Sequence, residues 1–373
     1  MNDFVWRGII NKKLITYHFH KSTGLGGVES LVRNLQDVSL NLSFDVEEIY
    51  HGVYGEEINK EKSGVIYSKL FANNGAENFF QKMFGFLYKR INLYNHLLTI
   101  SKDRECSIFV FHPKHLLQLP NSVMRRSKIV FIQTNKFEII FAGLGGLGFK
   151  RSLDLIDHIT VYTGFDREKL INLFPDLNIK EKVSILPRGC RFTTTNKVNR
   201  YSKKLVTIAR IDETQKNFTS MVEVMKLLPE EYTLDIYGNG TDDSIDALEK
   251  LIASEDRISY RGVTRKPDEI LKQYSVFILT SHFEGFGQTL IEARSQGLPI
   301  VAFETFDALK WIVTNGANGK IVAPYDHSGF AAALKVILTD ESVYSEFSNN
   351  AIVKSVETDL TSISDKWRKL ISN

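Results

Sequence analysis

Cysteine is scarce in this sequence, and long apolar runs are missing from it. Cys106 and Cys190 are its only cysteines. Two are too few for a disulfide framework or a zinc cage, and isolated cysteines are usually small buried hydrophobic residues. No stretch of about 18 or more apolar residues occurs, so a membrane-spanning helix is not expected. The start of the chain also lacks the regions of a signal peptide. The sequence therefore predicts a cytoplasmic protein.

Length and composition favour two folded domains. The chain has 373 residues, of which 43% are hydrophobic and 24% charged. That composition is typical of a folded protein, and the length exceeds what one hydrophobic core usually organises. Repeats and low-complexity tracts do not occur in the sequence. We therefore expect two domains of roughly 150 to 200 residues.

Charge is distributed unevenly along the chain. Residues 1–200 contain 28 Lys and Arg against 19 Asp and Glu, a net +9, whereas the remainder contains 19 against 25, a net −6. A basic half suggests contact with anionic surfaces or phosphates. A dense Lys/Arg stripe and a recognition motif are both missing, so nucleic acid is not expected as a partner.

Short apolar runs alternate with amphipathic stretches of helical length, a pattern typical of parallel sheets covered by helices. A polar segment at 191–204 separates two such series. The sequence therefore predicts two doubly wound, Rossmann-like domains, 1–198 and 199–355, with a helix in 356–373 crossing back to join the first. The predicted strands are 13–20, 46–50, 107–112, 128–133, 158–162 and 183–186 in the first domain and 205–209, 232–237, 258–261, 276–280 and 299–303 in the second.

A glycine loop between a predicted strand and a predicted helix carries the strongest chemical signal. After the strand at 276–280 the chain reads SHFEGFGQT and enters a helix. Gly285 and Gly287 would let the backbone approach a ligand, and the free amides of Gln288 and Thr289 would point at an anion. Crevices of this kind lie beyond the carboxyl ends of parallel strands.

Two acids and two cations accompany this loop. Glu284 precedes the helix and Glu292 lies one turn or so into it, so both carboxylates can accept hydrogen bonds from sugar hydroxyls in one crevice. Arg210 and Lys216 follow the strand at 205–209 and could neutralise a diphosphate. Taken singly, each residue could equally be a solvated surface charge. Together they predict a nucleotide-sugar site.

These motifs resemble the retaining GT-B glycosyltransferases of family four, which include bacterial enzymes of cell-surface glycans. The resemblance spans most of the chain and is strongest from 205 to 305. Four motifs in family order carry it: the E-x7-E pair Glu284 and Glu292, the arginine-lysine pair Arg210 and Lys216, the strand-glycine turn at 237–240, and the N-terminal glycine loop at 26–29.

The resemblance implies an α/β protein of the GT-B fold, with two Rossmann-like domains facing a cleft. Arg210 and Lys216 would hold the donor diphosphate, expected to be that of UDP. Glu292 would bind the ribose, and Glu284 the transferred sugar. Glu284, Arg210 and Lys216 are thus the implied catalytic residues. The further donor-site residues implied are Gly26, Gly27, Gly238, Val263, Thr264, Gly285, Phe286, Gly287, Gln288 and Thr289.

No cofactor or metal is expected beside the nucleotide sugar. The D-x-D metal signature of the other large glycosyltransferase fold does not occur in the sequence, and cationic side chains and helix termini would take the place of the metal. One departure concerns a histidine that family members usually carry where this chain has Gln133, Thr134 and Asn135. The departing phosphate can take the acceptor proton, so its absence bears on sugar choice and acceptor positioning more than on activity. His112 and His115 lie near that position in strand order and are the less favoured candidates to replace the missing histidine.

The family resemblance implies an acceptor in the basic N-terminal half. The expected product is an α-linked sugar on a bacterial surface glycan such as lipopolysaccharide, O-antigen or capsule, lipid-linked at the cytoplasmic face. The aromatic stretch 79–94, with Lys82, Lys89 and Arg90, predicts either peripheral contact with an anionic membrane or an aromatic face packed on its own sheet. Two alternatives stay open: a soluble small-molecule or protein acceptor, and a catalytically silent partner subunit.

Two further patterns are interpreted as decoys. The segment 143–148 satisfies G-x-G-x-x-G, but a firm strand before it and a ribose-binding acid after it are both missing. We expect a flexible acceptor-side loop there. His18 and His20 share one strand face but have no third ligand at a recognisable spacing, so we interpret them as strand-end residues near the cleft.

Overall fold

The computed structural model describes residues 12–24, 26–52, 57, 59–69, 79–100, 105–175 and 177–372. The described chain divides into two compact units. The first takes in the described residues up to Val161, together with Arg167–Leu186 and the segment from Ser364. The second takes in Tyr162–Asp166 and Pro187–Ile363.

These boundaries differ from the predicted division at 198 and 356. The sequence predicts a domain boundary in the polar segment at 191–204, yet the backbone of this segment is bonded into the second unit. The amide of Cys190 donates to the carbonyl of Thr358 at 2.8 Å, and that of Thr195 donates to the carbonyl of Ser295 at 2.8 Å. Composition shows that a segment is polar, but it does not show where its backbone hydrogen bonds go.

The first part of the chain forms a seven-stranded parallel sheet of order β3-β2-β1-β4-β5-β6-β7. Its strands are β1 (Lys13–His20), β2 (Asp45–Gly52), β3 (Val65–Lys69), β4 (Cys106–Val110), β5 (Lys128–Ile132), β6 (His158–Val161) and β7 (Val183–Ile185). Its helices are α1 (Gly27–Asn41), α2 (Phe79–Ile100), α3 (Pro113–Leu116), α4 (Asn121–Met124), α5 (Phe137–Ile140), α6 (Leu144–Ser152) and α7 (Gly164–Leu173), with 3₁₀ turns at Leu153–Leu155 and Lys180–Lys182.

The second part forms a six-stranded parallel sheet of order β10-β9-β8-β11-β12-β13. Its strands are β8 (Lys204–Ile208), β9 (Thr233–Tyr237), β10 (Ile258–Tyr260), β11 (Val276–Leu279), β12 (Ile300–Phe303) and β13 (Gly319–Val322). Its helices are α8 (Glu213–Lys216), α9 (Phe218–Lys226), α10 (Asp242–Ile252), α11 (Pro267–Leu271), α12 (Gln288–Ser295), α13 (Leu309–Ile312), α14 (His327–Ile337) and α15 (Glu341–Ser355); the 3₁₀ turn Val356–Thr358 then leads into α16 (Leu360–Ser372).

Both sheets reverse their strand order once, at a switch point. In the first sheet the chain runs outwards from β1 on one side and from β4 on the other, and in the second sheet from β8 and β11. The central strands are apolar and buried; all five residues of β4 and all four of β11 are buried. Doubly wound sheets bind ligands beyond the carboxyl ends of the strands at such a point.

The sequence missed the strands β3 and β13, which lie at the edges of their sheets. Every residue of β3 is exposed or half-buried. An edge strand has one neighbour and can leave side chains in water, so it lacks the continuous apolar run of a central strand.

The predicted flexible loop at 143–148 is wrong, because the segment enters helix α6. Gly145 and Gly148 are buried in this helix. A Cβ atom at Gly148 would lie 2.3 Å from the carbonyl oxygen of Pro113 at the start of α3. The glycines therefore serve close packing of two helices, at a position where a larger residue would clash.

The end of α16 packs within the first unit. Trp367 is 1% exposed, and its ring lies 6.2 Å from that of Phe109 in β4. Lys128 Nζ donates to the carbonyl of Leu370 at 2.6 Å. The packed indole of Trp367 and the hydrogen bond from the Lys128 side chain to the main chain thus anchor the last helix to the first sheet.

Candidate functional site

The switch point of the second sheet brings together the loops that follow β8 and β11. The two strands are direct neighbours, with Leu205 opposite Val276 and Val206 opposite Phe277. Their carboxyl ends therefore open at the same edge. The segment after β8 contains Arg210 and, at the end of the short helix α8, Lys216; the loop after β11 contains Glu284.

Side-chain and backbone hydrogen bonds join these two loops. Asn217 Nδ2 donates to the carbonyl of Thr280 at 3.1 Å, and Thr280 Oγ1 donates to the carbonyl of Asn217 at 2.8 Å. The amide of His282 donates to the carbonyl of Gln215 at 2.8 Å. Asn217 has φ +55°, in the left-handed region that asparagine tolerates, and accepts from the amide of Ser220 as the cap of α9. The joined loops determine where Lys216 lies.

Lys216 and Glu284 form an ion pair at this edge of the sheet. Lys216 Nζ lies 2.5 Å from Glu284 Oε1, and the side chains are 11% and 12% exposed. Glu284 Oε1 also accepts a hydrogen bond from Ser281 Oγ at 2.8 Å. The predicted cation and the predicted sugar-binding acid therefore meet. Both remain partly accessible, so a ligand could compete for each.

Glu292 is buried and paired with a cation that the sequence did not single out. It is 3% exposed. Arg191 Nε lies 2.9 Å from Glu292 Oε1, and Arg191 Nη2 donates to Oε2 at 3.3 Å. Gln288 Nε2 donates to Oε1 at 3.3 Å. The alternative of a solvated helix acid is therefore wrong. Arg191 is the first residue of the polar segment that separates the two series, so its position suggested a boundary and not a charge partner.

Helix α12 begins within the glycine loop. Gly287 has φ +93° and is the residue before the helix, and the amides of Gln288 and Thr289 lie in the first turn, where no intrahelical acceptor exists. Gly285 is half-buried one residue after the ion-paired acid. Free amides at the start of a helix can donate hydrogen bonds to an anion.

Phe286 departs from the predicted donor role, since its side chain is in the core. It is 1% exposed, with ring centroids 4.9 Å from Tyr162 and 5.9 Å from Trp311. An aromatic side chain between two glycines of a loop anchors that loop by burial. Only its backbone remains near the predicted site.

The remaining predicted residues of this unit lie along the same edge. Gly238 follows β9, and a Cβ atom there would lie 1.7 Å from the carbonyl oxygen of Ala209, so the close approach of the two strand ends requires glycine. Arg210 is exposed directly after Ala209. The amide of Gly238 donates to the carbonyl of Gly262 at 2.9 Å. The residues that follow Gly262, Val263 and Thr264, therefore lie near the end of β9, and Val263 is 42% exposed.

The other predicted residues belong to the first unit. Gly26 precedes α1 and Gly27 begins it; a Cβ atom at Gly26 would overlap the carboxylate of Glu29. Asn135 follows β5, and its Oδ1 accepts from the amide of Lys136 at 2.8 Å. Arg90 is half-buried on α2. The side chains of Lys82 and Lys89 lie outside the described residues.

The second part of the chain matches a known family. Residues 193–354 match the family described as Glycosyl transferases group 1. This region is therefore similar to that family. The resemblance stated from the Glu284–Glu292 and Arg210–Lys216 motifs is confirmed, and the matched region contains all four residues.

Two curated relatives share part of the chain. The poly(glycerol-phosphate) α-glucosyltransferase of Bacillus subtilis is 30% identical over 170 residues, which are 44% of this chain and 25% of that protein. The lipopolysaccharide 1,6-galactosyltransferase of Escherichia coli is 29% identical over 134 residues, 35% of this chain and 37% of that protein. The chain thus spans well under half of either relative.

The solved structures support the fold over almost the whole chain. The pneumococcal O-GlcNAc transferase GtfA, in complex with UDP and GlcNAc, aligns with a TM-score of 0.75 at 15% identity, covering 97% of this chain and 99% of that one. At this identity the likeness concerns the fold. The predicted GT-B class, with two Rossmann-like parallel sheets, is confirmed. Among the described residues, none of the helices combines the length and apolar character needed to cross a bilayer.

Proposed function

We propose that the chain is a retaining glycosyltransferase that transfers a hexose-type sugar from UDP to a bacterial surface-glycan acceptor. The observation that carries this is the Lys216–Glu284 ion pair at the switch point of the second sheet, at 2.5 Å. The family of residues 193–354 and the curated glycosyltransferase relatives support the reaction class. The UDP in the GtfA structure supports the nucleotide.

Different side chains would bind different parts of the nucleotide sugar. Lys216 and the exposed Arg210 supply positive charge to the departing diphosphate, and the first-turn amides of Gln288 and Thr289 donate to it. Glu284 accepts from hydroxyls of the transferred sugar, and Glu292 from the ribose. Because Arg191 already neutralises Glu292, that carboxylate can lie near phosphates without strong repulsion.

The transfer itself breaks the bond between the anomeric carbon and the diphosphate oxygen. The acceptor hydroxyl oxygen forms the new bond on the same face of the sugar, so the configuration is retained. Its proton passes to the departing phosphate oxygen, and UDP leaves. This path needs no protein base, in agreement with Asn135 where family members usually have a histidine. It also needs no cofactor or metal for the steps assigned to these residues.

UDP binding tests the donor assignment. A saturating excess of UDP, about a hundred times its Kd, should raise the free energy of unfolding by about 2.7 kcal/mol, measured by thermal shift. Glu292→Gln should weaken UDP binding about tenfold, because a ribose hydroxyl loses a charged acceptor. Glu269→Gln, on α11 and paired with Lys266 at the surface, is the matched control and should bind normally.

The two possible failures are distinct. If the wild-type protein is not stabilised by UDP or UDP-sugars, the proposed function is contradicted. If UDP binds and the glutamine variant binds equally well, only the ribose assignment of Glu292 is contradicted. Release of UDP from UDP-glucose, UDP-galactose and UDP-N-acetylglucosamine identifies the sugar and separates an active enzyme from a silent partner subunit.

The surface of α2 favours a lipid-linked acceptor at the cytoplasmic face of the membrane. Phe84, Leu87, Tyr88 and Ile91 are 49 to 63% exposed, whereas Leu93 faces the core of the first sheet. The exposure of these four side chains favours membrane contact over packing of the aromatic face on its own sheet. The helix sequence holds no acid and three bases, which suits anionic headgroups.

Vesicle sedimentation tests this surface. The wild-type protein should sediment with vesicles of phosphatidylglycerol and phosphatidylcholine at low salt, and less at high salt. A Leu87→Ser, Ile91→Ser double variant should bind the vesicles about tenfold more weakly. Its two substituted side chains can no longer insert into the apolar part of the membrane. Leu227→Ser, 45% exposed on the second unit, is the control. No sedimentation of the wild type would favour a soluble acceptor.

A further inference from the structure

A cluster of aromatic and imidazole rings lies at the switch point of the first sheet, and none of its residues is among those assigned to the donor. Phe19, near the end of β1, is its centre. Its ring centroid lies 4.2 Å from that of His115, 5.1 Å from His112 and 5.4 Å from His51. We call Phe19, His51, His112 and His115 the histidine platform. They come from β1, β2 and the α3 segment that follows β4.

The base of the platform is rigid. His115 is fully buried and stacks on Tyr17 at 4.3 Å and on His51 at 5.0 Å. The Tyr17 hydroxyl hydrogen-bonds to Gln118, and it lies 3.2 Å from His51 Nε2. Phe19 is 37% exposed above these rings. An open aromatic ring is thus held on a packed aromatic base.

Two of the three histidines of the platform have lowered pKa values, which favours their neutral form. Burial, with a smaller contribution from the neighbouring Lys114, lowers the pKa of His112 to about 4. Burial likewise lowers the pKa of His115 well below its usual range. A neutral surface of this kind suits a neutral ligand and offers little to a phosphate. The rings stack instead of pointing their nitrogens at one centre, and no three His, Cys, Asp or Glu side chains in the described chain could hold a metal ion.

Hydrogen bonding determines which nitrogen of His112 is a donor. His112 precedes α3, and its Nδ1 accepts from the amide of Lys114 at 3.1 Å. A neutral imidazole has one donor and one acceptor nitrogen. The proton is therefore on Nε2, so this half-buried imidazole, whose ring centroid lies 5.1 Å from that of Phe19, has one N–H donor.

We propose that the histidine platform is the subsite for the acceptor's sugar ring: a neutral pyranose places its C–H face on Phe19, and one hydroxyl accepts a hydrogen bond from His112 Nε2. This assignment rests on the proposed function, since it names the substrate class that the first unit would bind. The location agrees with the general position of ligands in doubly wound sheets. His112 is then a positioning residue for the acceptor.

Binding of simple glycosides tests the platform. The probes are the methyl glycosides of glucose, galactose and N-acetylglucosamine, measured by saturation-transfer NMR with UDP present. Phe19→Ala should weaken binding of at least one glycoside about five- to tenfold, because the stacking surface is lost. Tyr94→Ala, an aromatic residue of the same 37% exposure on α2, should bind like the wild type.

A donor-site variant separates the two sugar sites. Glu284→Gln should leave glycoside binding unchanged, because Glu284 belongs to the site for the transferred sugar. Glycoside binding that is lost in Glu284→Gln and kept in Phe19→Ala would overturn the proposal, as would a wild-type protein that binds none of the three glycosides. UDP binding in the same samples reports separately on the proposed function.

Two substitutions of His112 distinguish a hydrogen-bond donor to the sugar ring from a residue that only caps α3. Asparagine retains a side-chain oxygen that can cap α3 but does not reach the position of Nε2. Glutamine places an amide N–H near that position and caps poorly. We expect His112→Asn to weaken glycoside binding about five- to tenfold and His112→Gln to stay within about twofold of the wild type. Equal binding by the two variants, or weaker binding by the glutamine variant, would overturn the donor role.

Discussion

Replacing Lys216 by alanine should lower the rate of UDP-sugar turnover by about a hundred- to a thousandfold. Lys216 Nζ is held 2.5 Å from Glu284 at the switch point of the second sheet. Removing one preorganised group that stabilises developing charge typically costs a factor of this size. The departing diphosphate would lose its most buried cation, because Arg210 is exposed. The effect should appear in kcat, measured as UDP release with and without acceptor.

Two controls separate charge stabilisation from a folding defect. Lys226→Ala removes a surface lysine of α9 paired with Glu223 at 2.8 Å, and it should leave turnover unchanged. Thermal unfolding without ligand should show that the Lys216→Ala variant is folded. A folded variant with wild-type turnover would contradict the assignment of Lys216 to the diphosphate.

Replacing Trp367 by alanine should destabilise the first unit by about 3 to 5 kcal/mol. Trp367 is 1% exposed and packs near Phe109 of β4. The substitution removes buried apolar area and leaves a cavity between α16 and the sheet. Because the indole N–H has no hydrogen-bond partner within the described residues, Trp367→Phe should cost less than half as much. Denaturant unfolding gives the free-energy differences.

The neighbouring Lys366→Ala is the matched control, since Lys366 is exposed on the same turn of α16. It should change stability by less than about 0.5 kcal/mol. Hydrogen exchange should locate the effect of the tryptophan variant in the strands of the first sheet. Equal acceleration in β8 and β11 of the second sheet, or a loss below about 1 kcal/mol, would show that α16 does not anchor the first unit.

Central strands were predictable because they are apolar on both faces. The predicted strand at 13–20 coincides with β1, and the glycine loop before α12 was placed correctly between strand and helix. The edge strands β3 and β13 and the glycine-rich start of α6 were missed because their structure depends on contacts with distant elements. Gly148, for example, is required by the carbonyl of Pro113, which lies in another helix.

For the candidate site too, the sequence predicted what local spacing determines and missed what distant contacts determine. Four motifs in order, among them the Glu284–Glu292 and Arg210–Lys216 pairs, carried the resemblance that agrees with the family match of residues 193–354. They did not show that Glu292 is paired with Arg191. A charge partner distant in sequence leaves no local pattern, so no periodicity could reveal it.

By itself, the sequence determined the alternation of strands and helices and the presence of two parallel-sheet domains, because those depend on local spacing and apolar periodicity. The GT-B class followed from the resemblance of its motifs to a known family. Only the tertiary structure decided that Lys216 pairs with Glu284 and that four rings gather around the end of β1. Each of these depends on which parallel strands lie side by side, and that order is set by packing between elements far apart along the chain.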